Sequence, residues 1–169
     1  LPGAQCTTAF CAVLDPDTGE VRYSGAGHPP PVLVLPDGTV RMLEDASVTP
    51  LGLPFDEVRP EGVTVIPPRA TLLLCTDGLV ERRREPLDAG IRRATAVLQD
   101  HRNVTLDDLA DEIMMRLAPG QGYQDDVALM LYRRPAPLEI EIPAAAEQLA
   151  PTRKALRDWL TQAGIGPVQ

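Results

Sequence analysis

An α+β fold is what three features of this 169-residue sequence predict. Short apolar runs separated by Pro/Asp/Gly turns fill the first part of the chain, a helical apolar period replaces them after residue 77, and one more apolar run follows the helices. Strands in succession, then helices and a late strand, differ from the strict alternation of an α/β chain. With 44% hydrophobic and 24% charged residues, the chain has the composition of a folded globular protein and not of a disordered one.

The elements follow in order. "TTAFCAVLD", the turn "PDTG" and "VRYSGA" predict a β-hairpin, and "PVLVL", "PDG" and "TVRML" predict a second. "VTVI" and "TLLLC", joined by "PPRA", predict a third strand pair. Short turns between successive strands make the sheet mostly antiparallel. Between the second and third pairs, the Pro-rich and acidic "EDASVTPLGLPFDEVRPEG" reads as a surface loop. Leu87, Ile91, Ala94 and Leu98 are then spaced for one helix face. Thr105, with Asp108 three residues on, resembles a capping box for a second helix, whose stripe is Leu106, Leu109, Ile113 and Leu117 and which Gly120 and Gly122 end. "VALMLY" returns the chain to the sheet.

Pro135 and Pro137 mark a boundary, so residues 1–134 and 135–169 read as separate units. Beyond it "LEIEI" alternates as a strand does, and "QLAPTRKALRDWLTQAG" predicts an amphipathic helix with Leu149, Leu156 and Leu160 on one side, Pro151 in its first turn and Gly164 as its stop. A strand and a helix cannot make a domain alone. The tail is therefore an extension of the main domain or the start of another.

Charge and cysteine content exclude several classes. A net charge of −8 and a pI near 4.7 disfavour a nucleic-acid or anionic-membrane surface. No stretch is apolar for long enough to span a bilayer, and "LPGAQCTTAF" lacks the regions of a signal peptide, so a cytoplasmic protein is expected. Cys6, Cys11 and Cys75 are odd in number and form no Cys-x-x-Cys pair; each reads as a small apolar residue in or beside a strand.

Asp77 is the unusual residue. It stands just beyond the apolar run "TLLLC", with only Thr76 between, while Asp125 and Asp126 stand immediately before "VALMLY". In an antiparallel sheet the end of one strand adjoins the start of its neighbour, so these carboxylates can meet at one sheet edge. Close carboxylates repel unless a cation or protons hold them. Oxygen donors suit hard ions such as Mg²⁺, Mn²⁺ or Ca²⁺, and Gly78 would let a hydrated ion approach the backbone. The plainer reading is a strand-ending Asp-Gly turn and an Asp pair capping another.

Other candidates are poorer. His28, in "GAGHPPP", reads as structural, and with only His101 besides and no Gly-x-Ser-x-Gly, a Ser-His-Asp hydrolase lacks support. Asp107, Asp108, Asp111 and Glu112 fit the solvated face and dipole-favoured first turn of the second helix. Arg82, Arg83 and Arg84 either form a solvated loop or receive an anionic substrate. A dehalogenase-type Asp-x-Asp nucleophile is excluded, because Cys75 stands where its first Asp must be. A Ca²⁺ site would need more coordinating oxygens than the sequence offers.

Taken in order, "TTAFCAVLDPDTGEVRYSGAGHPPPVLVLPDG", "TPLGLP", "LLLCTDGLVE" and "YQDDVALML" resemble the SpoIIE/RsbU branch of the metal-dependent (PPM, type 2C-like) serine/threonine phosphatases over about residues 1–133. The resemblance implies a β-sandwich flanked by helices in α-β-β-α layers, present here in part, with two Mn²⁺ or Mg²⁺ ions at one end. It implies that a metal-activated water hydrolyses phosphoserine or phosphothreonine with no covalent intermediate. Asp77 and Asp125 match the family's metal ligands in this region, with Gly78 and Asp126 beside them; Arg82 and Arg83 are the residues here that could touch substrate.

Two departures accompany the resemblance. The family's first metal motif, an Asp-Gly in a Gly-Asp-Val-x-Gly-His-Gly type segment, has no counterpart, so the chain is expected to be the C-terminal half of such a domain and to need the other half, or a homodimer, for stability. "PPRA" stands where relatives have a Pro-Gly-Asp turn. The tail "LEIEIPAAAEQLAPTRKALRDWLTQAGI" looks like the opening of an RsbW-type anti-sigma-factor kinase of the GHKL fold. Together they imply a partner-switching regulator whose substrate is a phosphorylated, STAS-type anti-sigma-factor antagonist. The competing reading is a regulatory binding module that keeps the fold without catalysis.

Overall fold

In the computed structural model, which describes residues 6–54, 58–120, 122–123, 125–143 and 146–162, the two expected hairpins lie in different sheets. Strands β1 (Ala9–Leu14) and β2 (Glu20–Ala26) pair antiparallel across the turn that follows Asp15. The Asp15 carboxylate accepts the Asp17 N–H at 2.9 Å, and the turn's own hydrogen bonds hold its pKa below the usual range. Strands β3 (Val32–Val34) and β4 (Val40–Met42) form the second antiparallel pair.

The third expected pair is not a hairpin. Strand β6 (Gly62–Val65) joins β2, whereas β7 (Thr71–Cys75) joins β3. Residues 66–70 therefore cross from one sheet to the other, burying Ile66 and Ala70 between them. The acidic loop before β6 contains one short strand, β5 (Ser47–Val48), which runs parallel to β2. Strand β8 (Leu129–Arg133) closes the second sheet, giving the order β4-β3-β7-β8.

Alternation on β3 and β7 divides the core. Leu33 and Leu72 point between the sheets, where they meet Val21, Tyr23 and Leu43. Val32, Val34 and Leu73 point to the other side, under helices α2 (Leu87–Asp100) and α3 (Leu106–Leu117). Sheet, sheet and helices thus form three layers of an α+β sandwich, and β7 is buried on both faces as its run of leucines suggests. Ile91, Ala94 and Leu98 supply the inward face of α2, with Leu87 left partly exposed at its start. Leu109, Ile113 and Leu117 supply that of α3, whose N-cap is Thr105: its hydroxyl accepts the Asp108 N–H at 3.1 Å and donates to the Asp108 carboxylate at 2.7 Å.

Other expectations are corrected. Cys6 and Cys11, expected as small apolar residues in or beside a strand, are exposed; Cys11 lies in the part of β1 that is open to solvent, and Cys6 precedes that strand. Leu138–Ile142 forms no strand there, since a strand needs a neighbour to take its backbone hydrogen bonds. Helix α4 (Leu149–Gln162) is present with Pro151 in its first turn, but Leu149 and Leu156 are exposed; Trp159 Nε1 ties it to the linker by donating to Ala136 O. Gly164, the expected stop, lies outside the described residues.

A short helix, α1 (Asp77–Val80), replaces the bare turn expected after β7. It lies so close to α2 that a Cβ on Gly90 would fall 1.8 Å from Val80 O. Alanine ordinarily stabilises a helix interior by about 1 kcal/mol over glycine. At Gly90 the sign reverses: Gly90→Ala is expected to cost the intact protein about 2 kcal/mol in urea denaturation, and an equally stable variant would contradict this packing.

Candidate metal centre

The register of β7 and β8 builds the site. Cys75 pairs with Leu129 at one end of the ladder and Thr71 with Arg133 at the other. The chain leaves β7 into α1 at Asp77 and enters β8 from Asp125 and Asp126, so the acidic residues expected to meet do arrive at the same sheet end.

Thr76 locks the approach. Its N–H donates to Ala128 O at 2.9 Å, its hydroxyl donates to Asp126 O at 3.1 Å, and the same hydroxyl accepts the Ala128 N–H at 3.0 Å. Gly78 is needed for closeness: a Cβ there would lie 2.5 Å from Asp126 O. Its absent side chain thus admits the backbone of the Asp125–Asp126 segment, a use of glycine different from the access for an ion expected from the sequence. Just before the site, burial pushes the Cys75 thiol up to about 11, with the Asp77 charge adding to the effect, so it stays protonated near neutral pH.

Asp77 and Asp125 are both exposed and line one cleft of about 520 Å³. The Asp77 Oδ1 accepts the Gly78 N–H at 2.9 Å, and the Asp125 Oδ1 accepts the Asp126 N–H at 2.8 Å. Neither carboxylate is in an ion pair among the described residues, whereas Glu85 is held by Arg93 at 2.5 Å. Two unneutralised carboxylates at a sheet end suit a hard divalent cation. No cluster of three or more His, Cys, Asp or Glu able to hold an ion is found among the described residues. Asp126 supplies its backbone to the Thr76 lock and does not line the cleft.

Arg82 and Arg83 line the same cleft, and Arg82 Nη2 donates to Leu117 O at 2.8 Å. Glu81, which the sequence did not single out, and Gly120 and Gly122, expected only to end the second helix, also form its walls. The spacing of Asp77 and Glu81, one helical turn apart, was the available signal, but the helix between them is only 4 residues long. A second cleft, of about 350 Å³, shares Asp77 and Glu81 and includes His28, which thus stands at the site although its sequence context reads as structural. The His28 ring lies beside that of Phe10, 6.4 Å between centroids.

A sequence model of the family Stage II sporulation protein E (SpoIIE) matches residues 1–135. The solved RsbU and RsbW domains of Rv1364c from Mycobacterium tuberculosis are 32% identical, with a TM-score of 0.72 over 96% of this chain and 48% of that one. The SiaA-PP2C domain of Pseudomonas aeruginosa is 21% identical, with a TM-score of 0.58 over 75% of this chain and 51% of that one. The PP2C phosphatase domain of SpoIIE from Bacillus subtilis, solved with a fragment of its regulatory domain, is 16% identical, with a TM-score of 0.60 over 75% and 37%. The last two likenesses concern the fold alone, and this chain spans about half or less of each structure.

The Thr76 hydroxyl carries a measurable load. Thr76→Val keeps the shape but leaves the Ala128 N–H without its acceptor, a loss of about 1–2 kcal/mol. Hydrogen exchange at the Ala128 amide is expected to speed up roughly tenfold or more; an unchanged rate would mean that the strand ladder alone holds the two acidic segments together.

Proposed function

Because the chain belongs to the SpoIIE family of PP2C-type phosphatase domains, we propose that it carries part of the metal centre of a phosphoserine/phosphothreonine protein phosphatase. The observation that carries this reading is the meeting of Asp77 and Asp125 in one cleft at the end of β7 and β8 without neutralising ion pairs among the described residues. These two residues would hold Mn²⁺ or Mg²⁺, with remaining ligands from the family's first Asp-Gly motif. Bound ions of this kind make a coordinated water more acidic and steady the charge on a phosphate ester. The chain's own contribution is rigidity: β7 and Thr76 fix Asp77, Gly78 lets the Asp125 segment close on it, and Arg82 and Arg83 stand where substrate would approach.

The substrate in this reading is a phosphorylated anti-sigma-factor antagonist of the STAS type, in a cytoplasmic partner-switching regulator. Residues 135–169 are the opening of an RsbW-like kinase unit joined to the phosphatase. The likeness to the two-domain RsbU–RsbW structure supports both parts, because it covers 96% of this chain and so extends past residue 135, where the family match ends. No helix among the described residues is long and apolar enough to cross a membrane.

A binding module without catalysis is the second reading, favoured by the absence of a third ligand among the described residues. One experiment separates the two. In the intact protein, Asp77→Asn or Asp125→Asn is expected to lower Mn²⁺-dependent phosphoserine-peptide hydrolysis by about a hundredfold or more, each near-isosteric change removing a charge from the ion's shell. Calorimetry should show weakened Mn²⁺ binding in parallel. Wild-type protein that binds no Mn²⁺ and hydrolyses nothing would establish the binding module instead.

A further inference from the structure

We propose that Arg83 is the residue that binds the dianionic phosphoryl group, while Arg82 beside it serves the fold. The inference rests on the phosphatase reading and deepens it. Asp77, Glu81, Glu85 and Asp125 give the cleft an acidic wall, which repels a phosphate monoester unless cations compensate. Bound ions would answer part of that charge; the cationic side chains lining the cleft are Arg82 and Arg83.

The two arginines have different surroundings. Arg82 is half-buried: its Nη2 is spent on Leu117 O, at the C-terminal end of α3, and its Nε is buried without a hydrogen-bond partner among the described residues. It satisfies a carbonyl that the helix end leaves open. Arg83 is exposed, and among the described residues it makes no hydrogen bond or ion pair. Its guanidinium keeps the planar, forked set of donors that matches phosphate oxygens.

The backbone is shaped to present it. Glu85 N donates to Arg82 O at 3.1 Å, closing a turn in which Arg83 and Arg84 are the central residues. Arg84 takes a φ of 68°. That conformation at the third position of a turn is the place of glycine, and a non-glycine residue there costs about 1 kcal/mol or more. Glu85, fixed by Arg93 at 2.5 Å, anchors the far side of the turn. A strained loop that leaves one guanidinium free in a cleft lined by carboxylates fits a phosphate ligand approaching that cleft.

The test compares wild-type, Arg83→Ala and Arg83→Lys forms of the intact protein in Mn²⁺, with p-nitrophenyl phosphate as substrate and inorganic phosphate as competitive inhibitor. Arg83→Ala should raise the KM and the phosphate inhibition constant together by about tenfold, with kcat changed less than threefold, and Lys should restore part of both. A fall in kcat with KM and phosphate inhibition unchanged, or no change at all, would overturn the assignment while leaving the phosphatase reading in place. Absence of any hydrolysis by the wild type would overturn that reading, and the assignment with it.

Discussion

The antiparallel register of β7 and β8 is the constraint on which the rest of the structure depends. Pairing Cys75 with Leu129 decides that Asp77 and Asp125 arrive at the same sheet end. A slip of one residue would turn Leu72 and Leu73 to opposite layers and exchange the two cores, so burial enforces the register. The two clusters of apolar side chains, one between the sheets and one under α2 and α3, therefore hold the acidic residues in place from a distance.

Around that ladder the local chemistry places both acidic residues in one cleft. Each carboxylate is exposed to solvent and accepts a neighbouring backbone N–H, Gly78 to Asp77 and Asp126 to Asp125. Thr76 gives its hydroxyl to the backbone on either side of Val127, where a helix N-cap would ordinarily use it for the helix. Gly78 and Gly90 let α1 settle between the β8 entry and α2, each at a point where a methyl group has no room. The opposite end of the ladder is tied as firmly: Arg133 donates to Thr71 Oγ1 at 2.8 Å, and Arg134 reaches Ile66 O and Asp17 O at 3.0 and 2.7 Å, bridging both sheets.

Much of this was legible in the sequence, for reasons that also explain what was not. The hairpins β1–β2 and β3–β4 carry turn residues between apolar runs, and α2 and α3 carry the helical period with the Thr105 cap, so local signals suffice. The sheet-end meeting of Asp77 and Asp125 followed from strand order alone. Strands β6 and β7 are equally close in sequence, yet Ile66 and Ala70 are buried between the sheets and pull the connection across; that is a tertiary effect with no local mark. Helix α1 and strand β5 have 4 and 2 residues, too few to show a period. Leu138–Ile142 alternates as a strand does, but a pattern makes a strand only when a neighbour exists. Cys11 lies in an apolar run, but such a run does not tell which of its faces is covered, and the residue is exposed.

The most direct measurement of the central claim is paramagnetic broadening of backbone amide signals as Mn²⁺ is added to the intact, isotope-labelled protein. The account predicts that amides around Asp77 and around Asp125 broaden together, at the same Mn²⁺ concentration, before those near Arg133 and Arg134 at the other end of the ladder. Broadening at only one of the acidic segments, or at neither, would contradict the claim that β7 and β8 deliver both carboxylates to a single ion site.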